Sequence, residues 1–248
     1  MRFIHVAVAV LSLLSVGQSA PVTSCDSLTQ TLEITREQML GKWMVVAESS
    51  SNQKVEDLKK DFLESYWMKV TAIDNSDAVI VISSAKAFGI CFTAALKMTL
   101  ENGTFQLVLP NVTLRHTLQS GSVPEMNFLK TDCSDCLLFQ AQQYAFGRKL
   151  SGLQLLSKRR TVTADEMGDF KKQAECLNLL QPFSYNPEAD VCTEPPSEDI
   201  ENLDMPRVYL DGEYLDFANL TNVNDIITRN EGVKNFLKMV PDLQTRLN

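Results

Sequence analysis

Through the middle of this chain, apolar and polar residues alternate with a period of two. Trp43–Glu48 reads as a strand ahead of the series, which runs through Tyr66–Ile73, Ala78–Lys86, Ile90–Leu100 and Phe105–Leu109. Met126–Asp132, Leu137–Tyr144 and Leu153–Lys158 complete it. The pattern is plainest in Ile90–Leu100, where Phe92, Ala94, Leu96, Met98 and Leu100 fall on one side. Turn residues separate the segments at Asp74-Asn75-Ser76, Asn102-Gly103 and Ser134-Asp135. Side chains two apart share a strand face, so each segment reads as a strand half buried against a core. No helical period separates these strands, which excludes a βαβ arrangement and leaves an antiparallel sandwich or barrel.

Two capping boxes mark helix starts. Thr35-Arg36-Glu37-Gln38 predicts a short turn before Gly41, and Thr163-Ala164-Asp165-Glu166 opens a true helix. Met167, Phe170, Ala174 and Leu177 form its apolar stripe, and Pro182 is the expected stop. A single amphipathic helix after the last strand must lay that stripe on the outside of the sheet. The polar stretch 50–62 reads as a long loop holding a helical turn, of the kind that overhangs a binding site. Composition shifts at Pro195-Pro196-Ser197-Glu198-Asp199. Beyond it, Asp211-Gly212 predicts a two-residue hairpin, and Ile226, Val233, Phe236, Leu237 and Val240 predict an amphipathic helix over 225–240.

The first twenty residues are not fold. Arg2, the apolar run Ile4–Val16 and the small residues through Ala20 read as a secretory signal peptide over residues 1–20. The six cysteines of an exported chain then predict disulfides in preference to thiol chemistry or zinc. Asn102, Asn111 and Asn219 open glycosylation sequons. Loss of Arg2 leaves 22 basic and 31 acidic residues, a net charge of −9. That balance argues against nucleic acid or an anionic membrane as partner, and no later segment is long and apolar enough to span a bilayer. Residues 193–248 hold eleven acids and five bases, so most of the negative charge lies in the tail.

Gly41-Lys42-Trp43 on the first strand, Thr131-Asp132 late in the series and Arg159 before the helix together resemble the lipocalin signature. With Cys25, Glu101-Asn102-Gly103-Thr104, Thr163–Cys176 and Cys192, the chain looks most like the alpha-1-acid glycoprotein and apolipoprotein M branch, near the fish saxitoxin- and tetrodotoxin-binding proteins. The resemblance covers residues 25–192. It implies a mainly β fold, an eight-stranded antiparallel up-and-down barrel over 21–192 with one C-terminal α-helix packed outside. Residues 193–248 are then an acidic extension, partly disordered or loosely docked. It further implies pairing of Cys25 with Cys176 and of Cys91 with Cys192. Cys133 and Cys136 straddle a turn, and a small clamping disulfide is the expectation there; Cys133 also replaces the tyrosine usual after Thr-Asp. Family inward positions carry over to Trp67, Val81, Ser83, Phe92, Leu96, Leu100, Leu137, Phe139, Gln154 and Leu156 as pocket lining. Leu100 stands where alpha-1-acid glycoprotein has a basic residue and Leu156 where it has an aromatic one. Lys69, on the parity of Trp67, either enters the pocket or stands at the mouth as a solvated lysine, and the second is the expectation. At the closed end, Trp43 offers an aromatic plate on which Arg159 or Arg160 can lie.

Chemistry is poorly marked. His116 is the one histidine after the signal peptide, no phosphate-binding glycine loop occurs, and neither cofactor nor metal is implied. The expected role is not enzymatic: it is extracellular binding and transport of small hydrophobic or amphipathic molecules such as lipids, steroids, toxins or xenobiotics. The alternatives are an immune-modulating interaction module whose tail or glycans bind a partner, and a thiol-dependent prostaglandin-isomerase-like enzyme, which needs a free cysteine in the pocket; whether a lipoprotein or receptor is a partner is left open by the sequence.

Overall fold

The computed structural model describes residues 24–101, 104–108, 125–145, 148–200, 203, 207–216, 225–226 and 228–234. The signal segment and the sequon asparagines Asn102, Asn111 and Asn219 lie outside them. The fold is mainly β. Strands β1 (Gly41–Ser50), β2 (Leu63–Ala72), β3 (Ala78–Ala87), β4 (Ile90–Glu101), β5 (Thr104–Leu107), β6 (Glu125–Leu129), β7 (Cys136–Ala145) and β8 (Arg148–Ser157) form the main wall. They are joined by β9 (Phe183–Ser184), β10 (Arg207–Leu210) and β11 (Glu213–Tyr214). All pairings are antiparallel, in the order β11-β10-β4-β3-β2-β1-β8-β7-β6, with β5 also on β4 and β9 also on β1. The sheet rolls on itself. One face of β1, β2, β3, β4, β6, β7 and β8 converges on a single cluster that includes Trp43, Val70, Val81, Met98, Phe128, Leu137 and Leu156. Strand β5 lies beside β6, but no ladder closes the ring among the described residues.

Helices sit at the ends and outside. Helix α1 (Cys25–Leu28) and helix α2 (Arg36–Met39) precede β1, α3 (Gln53–Phe62) fills the β1–β2 connection, and α4 (Ala164–Cys176) follows β8. Both capping boxes form as read: Thr35 with Gln38, and Thr163 with Glu166. Helix α4 lays Phe170 and Ala174 on Val46, Ala47, Leu138, Leu153 and Leu155, the outer side of β1, β7 and β8. It stops at Cys176, with Asn178 in the left-handed region (φ 55°), so the stop comes before Pro182. A polar residue that tolerates αL ends the helix here and the proline is not needed.

Strand β1 is the seam. It pairs with β2 only over Gly41–Met44. Its register to β8 slips between Val45 and Ala47, a bulge. Above the bulge the edge that β2 vacates is taken by β9. Three disulfides fasten the wall: Cys25–Cys176, Cys91–Cys192 and Cys133–Cys136. The first ties α1 to α4, and the second ties β4 to the root of the C-terminal extension.

The expectation for residues 193–248 is an acidic extension, partly disordered or loosely docked; of its described residues, Arg207–Leu210 and Glu213–Tyr214 are strands of the sheet. Strand β10 pairs with β4 over Phe92–Ala95, on the edge that β5 occupies lower down. Asp211-Gly212 makes the β10–β11 turn with both φ positive, 48° and 84°, as a two-residue hairpin requires. Ile200, Leu203 and Tyr209 cover Trp67, Ile80, Ile82 and Ala95 on the outer wall. Ile226, in a helical turn at 225–226, and Val233, in one at 231–234, pack with Leu210 and Leu215 on Ile90. These contacts bury apolar side chains on both partners, which offsets the entropy of ordering the segment.

Phe170 is buried under α4 at 1% exposure. Phe170→Ala is expected to cost about 3–5 kcal/mol, by lost transfer energy plus a cavity. Urea unfolding followed by circular dichroism measures it; a cost under about 1 kcal/mol would place α4 outside the cooperative core.

Candidate functional site

The enclosed face of the rolled sheet is the candidate site. Its lower part is apolar and tightly closed. Gly41, at φ 105°, turns the chain from α2 into β1, and this delivers Trp43 into the base of the cluster. The indole of Trp43 donates to the Met39 carbonyl at 2.7 Å. Val45, Val81, Leu137 and Leu156 line the same space, with Leu96, Met68, Met126 and Phe139 packed against them. Phe128 and Phe139 are tilted rings 5.5 Å apart.

Polar groups gather higher up. The bulge turns Glu48 to the enclosed face, opposite Gln154, and its side chain is only 1% exposed. Gln154 Nε2 donates to Glu48 Oε1 at 2.8 Å. Lys59, from α3, bonds the other carboxylate oxygen. A buried carboxylate is costly unless paired and hydrogen-bonded, and Glu48 has both partners. The helix that supplies Lys59 is itself held by Glu56, which accepts from the Ser50 N–H at 3.1 Å and pairs with Lys60 at 2.6 Å. Thus α3 is latched onto β1 by two buried carboxylates. Burial first, and then Glu48, pushes the Tyr66 hydroxyl up to about 12, with a Ser83 hydrogen bond acting the other way. Tyr185 is raised by burial and by Glu48. Its hydroxyl is buried beside that carboxylate without a hydrogen bond of good geometry among the described residues.

Of the expected lining, Val81, Leu137 and Leu156 are buried in the enclosed cluster, and Leu96 and Phe139 pack against it. Ser83 meets Tyr66, and Gln154 meets Glu48. Phe92 shares the parity of Leu96 but sits against Ile90 and Leu210, where the extension docks. The side chain of Leu100 lies outside the described residues. Trp67 is a correction. It is fully buried, but on the outer wall against Ile80, Ile82 and Tyr209, and its indole donates to the Cys192 carbonyl at 2.9 Å. The inward residues of β2 are Tyr66, Met68 and Val70, one position over. Lys69 likewise faces out, about one-third exposed and paired with Glu194 at 2.6 Å. The residues that the sequence reading left out are Glu48, Tyr66 and Tyr185. A carboxylate at the end of an otherwise apolar strand was the available signal for Glu48.

The barrel-end signature also needs one correction. Lys158, not Arg159 or Arg160, stands over the Trp43 ring, 4.9 Å from its centroid. Arg159 binds Asp135 through Nε at 2.7 Å and Nη2 at 2.8 Å, and Glu166 at 2.9 Å. It thereby joins the Cys133–Cys136 turn to the first turn of α4. Arg160 donates to the carbonyls of Pro187 and Ala189. Thr131 accepts from the Cys133 N–H at 3.3 Å, and Asp132 is exposed. Arg159 holds the Asp135 carboxyl below its usual value, and the Thr163 amide and Arg159 do the same for Glu166. This clamp is present above the ordinary carboxylate range and is lost as pH falls through the lowered values. Cys133, Asp135, Cys136 and Glu166 bring potential metal-ligating atoms within 4.8 Å. Their sulfurs are joined in the disulfide and their carboxylates are taken by Arg159, so a cation is already in place.

No family model matches the chain, and no curated protein matches it. A solved structure does. It is a siderocalin, Ex-FABP, described as functioning through dual ligand specificities. The TM-score is 0.50 at 17% identity, over 64% of this chain and 97% of the other. The fold is lipocalin-like. At that identity the likeness carries the fold and nothing finer. Among the described residues, no helix is long and apolar enough to cross a membrane.

The buried tyrosines give a testable pH dependence. Tyr66 ionises near 12 when folded and near 10.0 when unfolded, so the folded state holds its proton more tightly. Stability from this group is complete below pH 10 and is lost as pH rises towards 12. Absorbance titration at 295 nm should show Tyr66 and Tyr185 ionising only as the protein unfolds, and Y66F should move the alkaline midpoint upward. Normal titration of all five tyrosines near pH 10 would contradict the placement.

Proposed function

We propose that this protein is a secreted lipocalin-type carrier that binds a small hydrophobic or amphipathic molecule inside its rolled sheet. In this reading β1–β8 make the eight-stranded barrel, and the enclosed face is its chamber. The observation that carries it is the division of that face: an apolar lower part closed by Trp43, and a polar collar of Glu48, Gln154, Tyr66 and Tyr185 above. Small ligand sites have this composition, mostly apolar with a few placed polar groups. Binding is driven by removing apolar surface from water, about 25 cal/mol per Å². The collar sets which end of the ligand points to the mouth, and α3 stands over the entrance.

Export fits the signal-like first twenty residues and three disulfides, since such bridges persist in oxidising compartments. Carriage of lipids, steroids or xenobiotics in extracellular fluid, with glycans at the sequons, is the fuller form of the proposal, and it places the chain in the alpha-1-acid glycoprotein branch. The thiol-dependent isomerase reading needs an unpaired cysteine, and all six are bonded.

Fluorescence titration with the neutral probe N-phenyl-1-naphthylamine tests the chamber. Leu96 is partly buried against the enclosed cluster, so Leu96→Trp should fill space and weaken the probe by at least about tenfold, as overfilled interiors resist extra volume. Unchanged affinity in a folded Leu96→Trp protein would overturn the proposal.

A further inference from the structure

A second cleft lies on the opposite side of the wall. It measures about 580 Å³ and separates the outer surface of β2 and β3 from the extension. Ile73, Ile80, Ile82 and Ile200 line it, with Lys69 and Glu194 at one end. Its size falls in the ordinary range for small-molecule sites, roughly 300–1,000 Å³. The extension forms one side of it, so the cleft exists only because residues 194–200 lie over the wall.

Charge identifies what it takes. Lys42 and Lys69 stand directly opposite each other across β1 and β2. Like charges in that position repel. Glu194 answers both, at 3.0 Å from Lys42 and 2.6 Å from Lys69, so one carboxylate serves two ammonium groups. The register carries the basic character across the same face: Lys97 lies opposite Ile80, and Arg207 opposite Ala95, which is itself opposite Ile82. The other carboxylate in the lining, Asp74, lies beyond the end of β2, about 16 Å from Lys69 along the strand. All three partners of the Lys42–Glu194–Lys69 group are about one-third exposed, with side-chain exposures of 35–38%. Glu194 is therefore a partly exposed occupant, not a buried one. A chain of net charge −8 has kept a local cationic pair beside an isoleucine floor.

We infer that this outer cleft is a second ligand site for an amphipathic anion, its carboxylate or sulfonate joining Lys42 and Lys69 and its apolar body lying on Ile80 and Ile82. The anion competes with Glu194 for the lysines. The site is independent of the chamber, and its occupancy does not depend on the chamber's ligand.

Decanoate is the probe. Methyl NMR of the full chain, with N-phenyl-1-naphthylamine present at saturation, reads decanoate binding through the isoleucine δ1 methyls of Ile80, Ile82 and Ile200. Glu194→Gln removes the competitor and should tighten decanoate several-fold. Lys69→Gln should weaken it by about tenfold, the scale of one charge-assisted hydrogen bond. Decanol, which has no charge, should respond to neither substitution. Weaker or unchanged decanoate binding in Glu194→Gln overturns the inference, since Glu194 is then only a structural tie. Complete displacement of decanoate by the neutral probe also overturns it, because the anion then sits in the chamber. Failure of the chamber reading would show separately, as absent binding of the neutral probe with the decanoate response intact.

Discussion

Burial of β1 on both sides is the constraint from which the other layers follow. Val45 to Ser50 are six consecutive buried residues. A strand with one solvated face could not be so. The bulge after Val45 makes it workable: it sends Val46 and Ala47 outward under α4 and turns Glu48 inward. The strand therefore supplies the base of the enclosed cluster, the seat of the outer helix and the buried acid above it. It also shares its edges among three strands, β2, β8 and β9. The backbone groups that β2 leaves unpaired are met by β9 and by the flanking amides of Leu180 and Tyr185, as buried amides and carbonyls must be.

The same economy governs the outer wall. Strand β4 pairs with β3 over Ile90–Thr99, and its other edge is divided between β5 and β10. The extension thus completes an edge that would otherwise offer bare donors and acceptors to other chains. The Cys91–Cys192 bridge fixes the root of the extension beside that edge. Trp67 then seals the join, its ring under Tyr209 and Ile200 and its N–H on the Cys192 carbonyl. One bridge, one indole and one added strand together make Cys192, Ile200 and 207–214 part of the wall.

What was legible in the sequence was local. Period-two alternation marks the strands, two capping boxes mark α2 and α4, and Asp211-Gly212 marks the last hairpin, because each depends on neighbours a few residues apart. What was not legible depended on distant partners. Strand β2 carries aromatic residues on both parities, Tyr66 inward and Trp67 outward, since the extension makes its outer face a core as well. With both faces apolar, alternation cannot choose the register, and a one-residue error reverses every assignment on the strand. The same one-residue ambiguity put Arg159 on Trp43 where Lys158 stands: Asp135 and Glu166 lie close enough to claim the guanidinium. Glu48 was hidden for a related reason, because a bulge cannot be read from a run of apolar residues.

Two chemically different surfaces result from one sheet: an enclosed face with an acid at its upper end, and a covered outer face with cations beside isoleucine. The carrier account rests on the first. Its most direct test is the set of intermolecular nuclear Overhauser effects between bound N-phenyl-1-naphthylamine and the methyl groups of the wall. The account predicts contacts to Val81, Leu137 and Leu156. Contacts confined to Ile80 and Ile82, on the outer face, would contradict it.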